Sequence, residues 1–121
     1  MAHIALIDDD ATEAMILEGM LEHGGSGHTL VHAPTIKSFE ACGLSADLVL
    51  LDRRLPPHEN FQEGVAALSA TGWRGPVVLI TAFSHEPAPT APDGLRLIGP
   101  VDKADLLSPE AVDTMVASAL G

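Results

Sequence analysis

The chain has 121 residues, one cysteine and a net charge of −11, which comes from 17 acidic residues against six lysines and arginines. This length predicts a single domain over 1–121 with its own apolar core, no effector domain and no internal disulfide. The acidity argues against binding to nucleic acid or anionic lipid, and the lack of a long apolar run argues against a membrane span and favours a soluble cytoplasmic protein.

Short apolar runs alternate with amphipathic stretches along the chain. A run of four to six apolar residues is typical of a strand buried on both faces, whereas apolar residues at helical spacing predict a helix. The predicted strands cover 4–7, 28–33, 47–52, 77–81 and 95–101, and the predicted helices cover 12–23, 35–44, 61–70 and 109–120. Thr12 is predicted to cap the first helix, with Met15 and Met20 in the core, and Ser108 is predicted to cap the last helix, with Pro109 in its first turn.

The region between the fourth and fifth strands interrupts this alternation. Pro87, Pro89 and Pro92 lie within six residues there, and proline is excluded from helix interiors. We therefore predict a loop over 83–94 and a fourth helix that is short or absent. The remaining alternation predicts an α/β fold, namely a doubly wound, five-stranded parallel sheet with helices on both faces.

Polar side chains stand at the ends of four of the predicted strands. Asp8 and Asp9 follow the first strand, Asp52 ends the third, Thr81 ends the fourth and Lys103 follows the fifth. Right-handed crossovers bring the carboxyl ends of parallel strands to one edge of the sheet, where ligands bind in such folds. We therefore expect these five side chains to converge.

Three neighbouring carboxylates need a cation to remain ionised. A site made of oxygen ligands suits Mg2+, or Mn2+, and such a metal would let the Asp52 carboxylate approach an anionic phosphoryl donor. Thr81 could donate a hydrogen bond to one phosphoryl oxygen, and Lys103 could pair with another. These residues predict that Asp52 is a nucleophile that accepts a phosphoryl group.

With these motifs the chain resembles the receiver domain of two-component response regulators over its full length. The matching motifs are Asp8-Asp9 after a buried strand, Asp52 followed by Leu55-Pro56, Thr81-Ala82, and Lys103. The resemblance implies a flavodoxin-like, three-layer (βα)5 fold. It also implies that Asp52 is the phosphoacceptor and that Thr81 and Lys103 sense the phosphoryl group.

The resemblance further implies a metal site and a signalling role. Asp9 and Asp52 would be direct protein ligands of the metal, the backbone carbonyl of Arg54 a third ligand, and Asp8 would act through water. The phosphoryl donor would be a histidine kinase or a histidine phosphotransfer protein. The chain would catalyse only its own phosphorylation and dephosphorylation, and it would signal by protein–protein contact.

Three positions depart from the family pattern. Asn60 stands where a glycine is usual, Pro100 where an aromatic switch residue is frequent, and Ala104 where proline follows the lysine. The fourth helix and these positions belong to the face through which the family usually signals, so the departures concern output rather than the chemistry at Asp52.

Two other functions are compatible with part of the pattern. Asp8-Asp9-Asp10-Ala11-Thr12 fits the Asp-x-Asp-x-Thr motif of haloacid-dehalogenase-like phosphatases, with Asp8 as the nucleophile, although this leaves Asp52 without a role. The altered region before the fifth strand is also compatible with an interaction module that works without phosphorylation.

Overall fold

The computed structural model of the protein describes residues 2–25, 27–42, 44–52, 61–81 and 89–121. Its strands are β1 (His3–Ile7), β2 (Thr29–Ala33), β3 (Leu48–Asp52), β4 (Gly75–Thr81) and β5 (Leu95–Asp102). Its helices are α1 (Ala11–Gly24), α2 (Ile36–Cys42), α3 (Phe61–Ala70) and α4 (Pro109–Leu120), and a 3-10 helix spans Lys103–Leu106. This order confirms the predicted alternation of strands and helices.

The five strands form one parallel sheet in the order β2-β1-β3-β4-β5. The chain first winds outward from β1 to β2 and then crosses to β3 on the other side, so β1 and β3 flank the switch point of a doubly wound sheet. The register pairs Ile7 with Leu51, which brings the ends of β1 and β3 to the same level. The predicted fold class is confirmed.

Two layers of helices cover the sheet, because successive residues of a buried strand point to opposite faces. Leu48 and Leu50 of β3 pack in a cluster with α1 and α4. Val49 and Leu51 pack in a second cluster with α2 and α3. All five residues of β3 are buried, so this central strand fixes the position of Asp52 at its carboxyl end.

The start and the buried face of α1 differ from the prediction. Asp10, and not Thr12, is the N-cap, since its side chain accepts hydrogen bonds from the backbone N–H groups of Thr12 and Glu13. The buried residues of α1 are Ala14, Leu17 and Leu21. Met15 is 74% exposed, because it lies about 100° around the helix from the buried Ala14. The prediction that Met15 lies in the core was therefore wrong. Met20 does pack against the core.

The four α-helices agree with the prediction to within about two residues at their ends, whereas the 3-10 helix over Lys103–Leu106 was not predicted. Of the predicted loop over 83–94, residues 83–88 lie outside the described residues, and residues 89–94 contain no helix. Within the described ranges, none of the helices combines the length and the apolar character that crossing a bilayer requires.

The N-cap of α4 offers a test of helix capping. The Ser108 hydroxyl accepts a hydrogen bond from the backbone N–H of Ala111 at 3.2 Å. We expect Ser108→Ala to lower the free energy of unfolding by about 1 kcal/mol, because this N–H loses its partner. Urea denaturation measures the change, and Ser118→Ala on the exposed face of the same helix is the control, expected to stay within about 0.5 kcal/mol of the parent. Equal losses in the two variants would contradict the capping role.

Candidate functional site

The carboxyl ends of β1 and β3 place two acidic side chains next to each other. Asp8 follows β1 directly and is 1% exposed, and Asp52 is the last residue of β3 and is 5% exposed. The adjacent strand β4 ends in Thr81, which is also buried, one residue beyond the partner of Asp52 in the register. Buried acids are rare unless they are paired, so this edge of the sheet has the character of a functional site.

Lys103 supplies the positive charge of the site. It begins the 3-10 helix after β5, where the Asp102 side chain accepts a hydrogen bond from the Ala104 N–H and fixes the turn. The Lys103 Nζ atom lies 2.8 Å from Asp52 Oδ1, 2.7 Å from Glu13 Oε2 and 3.8 Å from Asp8 Oδ2. One ammonium group therefore contacts carboxylates from three different elements.

Glu13 is a member of this cluster that the sequence interpretation missed. Oxygen atoms of Asp8, Glu13 and Asp52 all lie within 4.8 Å of one another. A signal was present: Glu13 follows the Asp10 cap by three residues, the spacing of a capping box, in which the acid turns back toward the helix start. In a capping box the Glu13 carboxylate would accept a hydrogen bond from the backbone N–H of Asp10. Here that N–H donates to Asp8 Oδ1 at 2.9 Å, and the Glu13 carboxylate pairs with Lys103.

Burial makes the Asp8 carboxyl hard to ionise. Loss of solvent is the largest cause, and the neighbouring Glu13 carboxyl adds to it, so the pKa of Asp8 is raised from 3.8 to about 8. The proximity of the same two carboxyl groups lowers the pKa of Glu13. Ionisation is therefore easier at Glu13, next to Lys103, than at Asp8.

Burial also changes the pKa values of Asp52 and Lys103, which form an ion pair. Loss of solvent raises the pKa of Asp52, although the hydrogen bond from Lys103 opposes this. Burial alone would lower the pKa of Lys103, but its hydrogen bonds to Asp52 and Glu13 outweigh this effect and raise it. Lys103 therefore remains charged at neutral pH.

The donor set at this edge suits a hard divalent cation. The Asp8 side chain is buried, and its Oδ2 atom has no hydrogen-bond partner within the described residues. Carboxylate oxygens grouped within 4.8 Å are ligands that Mg2+ and Mn2+ prefer. The residues present therefore fit the predicted metal.

The other predicted site residues have different surroundings. Asp9 is exposed and lies outside the group of three close carboxylates, although its charge contributes to the raised pKa of Asp52. Arg54, whose carbonyl is a predicted ligand, lies outside the described residues. His32 on β2 has its Nε2 atom 2.6 Å from the backbone carbonyl oxygen of Asp8, where it can donate a hydrogen bond that holds the end of β1.

Comparisons with known proteins give matches in structure but not in sequence. No protein-family model matches the chain, and no curated protein is significantly similar to it. The N-terminal domain of a response regulator/sensory box/GGDEF three-domain protein from Carboxydothermus hydrogenoformans superposes with a TM-score of 0.73 at 24% identity, covering 98% of this chain and 93% of that one.

Two further structures show the same similarity. A chemotaxis response regulator of Vibrio cholerae has a TM-score of 0.68 at 17% identity and covers 99% of both chains. A response regulator from Brucella abortus has a TM-score of 0.64 at 25% identity, and the match covers 98% of this chain but 47% of that one. These similarities agree with the sheet order, and the chain has the fold of a response regulator receiver domain.

Proposed function

We propose that the chain is a response regulator receiver that accepts a phosphoryl group on Asp52. The observation that carries the proposal is the ion pair of 2.8 Å between Asp52 Oδ1 and Lys103 Nζ at the carboxyl edge of the sheet. Asp52 is held by a strand that is buried along its whole length, so its carboxylate has a fixed position. A positioned carboxylate that an ammonium keeps ionised is suited to nucleophilic attack on phosphorus.

Lys103 and Thr81 would hold the transferred group. Phosphorylation converts the Asp52 carboxylate into an acyl phosphate, and the ammonium that now contacts Asp52 could then pair with a phosphoryl oxygen. The Thr81 hydroxyl, at the end of the adjacent strand, would donate a hydrogen bond to another. Because Lys103 also contacts Glu13 on α1, its movement toward the phosphoryl group would change a contact between the site and a helix.

A divalent cation is part of the proposal. Asp8, Asp9 and Asp52 would hold Mg2+ or Mn2+ together with the Arg54 carbonyl. When bound, the metal would neutralise charge on the transferred phosphoryl group. Two observations support a cation at this place: the three close carboxylates, and the Oδ2 atom of Asp8, which has no hydrogen-bond partner among the residues that the structure describes.

The phosphoryl donor would be a phosphohistidine of a histidine kinase or a phosphotransfer protein. The Asp52 oxygen would form a bond to phosphorus as the bond from phosphorus to the histidine nitrogen breaks. The imidazole leaves as a neutral base after it takes up a proton. Later attack by water on the acyl phosphate would return Asp52 and release phosphate. Output would follow from contact with a further protein.

Chemical trapping of the modified residue tests this function. The chain is incubated with phosphoramidate and Mg2+, the product is reduced with borohydride, which converts an aspartyl phosphate to homoserine, and the peptides are sequenced by mass spectrometry. We expect homoserine at position 52 and none at position 8. Asp52→Asn should abolish the product, whereas Glu18→Gln, an exposed change of equal charge on α1, should not.

The other outcomes separate the alternative functions. Modification of Asp8 with continuous release of phosphate would favour the phosphatase and contradict the receiver proposal. Absence of any aspartyl phosphate, with the fold intact by circular dichroism, would favour an interaction module that works without phosphorylation.

A further inference from the structure

We propose that Glu13 is a ligand of the divalent cation, in a site formed with Asp8 and Asp52. The inference deepens the proposed function, since it concerns the same cation, and it adds a residue to the ligands that the family resemblance implies. It rests on the position of the Glu13 carboxylate, which comes from α1 and lies with the other two carboxylates in a group no wider than 4.8 Å.

The charge balance of the cluster leaves room for a divalent cation. Three carboxylates face the single ammonium of Lys103 among the described residues, so the fully ionised cluster has a net charge of −2. Two of the three acids are almost completely buried, and buried like charges at this spacing are costly without a counterion.

The Asp8 side chain provides an independent indication. It is 1% exposed, and its Oδ2 atom has no hydrogen-bond partner in the described part of the chain. A buried carboxylate oxygen without a donor is unusual. Lys103 Nζ lies 3.8 Å from Asp8 Oδ2, beyond hydrogen-bond distance, and a cation shared with Glu13 would give this oxygen a partner.

Glu13 can serve the cation and Lys103 together. A carboxylate has two oxygens and about four lone-pair sites, and the contact with Lys103 Nζ at 2.7 Å is made by Oε2 of Glu13. The backbone of Glu13 is fixed, since its N–H donates to the Asp10 cap in the first turn of α1. About one third of the side chain is exposed, so the carboxylate lies at the mouth of the site, where a cation with several bound waters would enter.

Mn2+ serves as the probe because its binding is read without phosphorylation. The full chain is labelled with glutamate that carries 13C in the side-chain carboxyl group, and pulsed EPR measures coupling between Mn2+ and this carbon. We expect a coupling in the parent that is absent in Glu13→Gln. We also expect Glu13→Gln to bind Mn2+ about tenfold more weakly, and Glu18→Gln, which removes the same charge from the exposed face of α1, to bind with the parent affinity.

A parent spectrum without coupling to glutamate carbon, or a coupling that persists in Glu13→Gln, would overturn the assignment. Equal affinities of Glu13→Gln and Glu18→Gln would overturn it as well. These readouts are independent of the trapping experiment on Asp52. A chain that shows the Glu13 coupling but forms no aspartyl phosphate would support the metal ligand and refute the phosphoacceptor.

Discussion

Asp8→Asn is expected to make the metal-free protein more stable by about 2 kcal/mol at pH 7.5, or roughly 8 °C in Tm. The reason is that the buried Asp8 carboxyl is costly to ionise next to Glu13 and Asp52. Asparagine has the same shape, its carbonyl oxygen can still accept from the Asp10 N–H, and its amide can donate to the Glu13 carboxylate. The substitution thus keeps the hydrogen bond from the Asp10 N–H and removes the charge.

The raised pKa of Asp8 determines in which direction the stability should change with pH. The pKa of Asp8 is about 8 in the fold and 3.8 in the unfolded reference, so the folded chain holds a proton that the unfolded chain has lost. Asp8 therefore contributes stability below pH 3.8 that is lost as the pH rises toward about 8. Asp52 shifts in the same direction. Glu13, with its lowered pKa, contributes stability that is lost as the pH falls, and this contribution is constant above pH 5.5.

Thermal denaturation without metal at pH 5.5, 6.5 and 7.5 measures the effect. The difference in Tm between Asp8→Asn and the parent should grow with pH, and addition of Mg2+ should stabilise the parent much more than the variant. Asp9→Asn is the control in the metal-free series, because it removes an adjacent but exposed charge. A difference that is constant with pH would contradict the assigned ionisation of Asp8.

Most of the fold is predictable because the strands are buried on both faces. The run from Leu48 to Leu51 has no polar side chain, and such a run is typical of a strand at the centre of a parallel sheet. The predicted bounds of α3 agree with the structure because Phe61, Val65 and Leu68 form one apolar stripe. The first helix was harder to interpret for two reasons. Its five apolar residues do not define a single buried face, and whether Asp10 or Thr12 is the N-cap depends on the local backbone angles.

The site is less predictable than the fold because it depends on side-chain direction. Strand ends predicted the contacts among Asp8, Asp52 and Lys103. The register brings the ends of β1 and β3 to the same level, and the long Lys103 side chain spans the distance from the end of β5. Glu13 belongs to a helix, and whether its carboxylate reaches the sheet edge depends on how α1 packs against β2 and α4. No strand-end rule includes such a residue. Arg54 lies outside the described residues, so its carbonyl stays a prediction.

Lys103→Met is expected to destabilise the protein by about 3 kcal/mol at pH 7.5 without metal, or roughly 12 °C in Tm. Lys103 is the only cation that contacts the three carboxylates within the described ranges, and two of these acids are buried. Its removal leaves their charge uncompensated. Because the carboxylates can take up protons instead, the loss should shrink as the pH falls to 5.5, and Mg2+ should restore part of the stability. Denaturation by urea at the two pH values, with and without Mg2+, measures these changes.

Lys37→Met provides the matched control, since Lys37 is the only other lysine of the chain and is exposed on α2. Its replacement should change the free energy of unfolding by less than about 0.5 kcal/mol.

A double variant that combines Lys103→Met with Asp8→Asn tests charge compensation directly. If Lys103 stabilises the fold by compensating the cluster, Asp8→Asn should stabilise the Lys103→Met chain more than it stabilises the parent, because one of the uncompensated charges is then removed. Additive effects would instead mean that Lys103 acts through packing of its aliphatic stem, and the charge-compensation account of the site would be wrong.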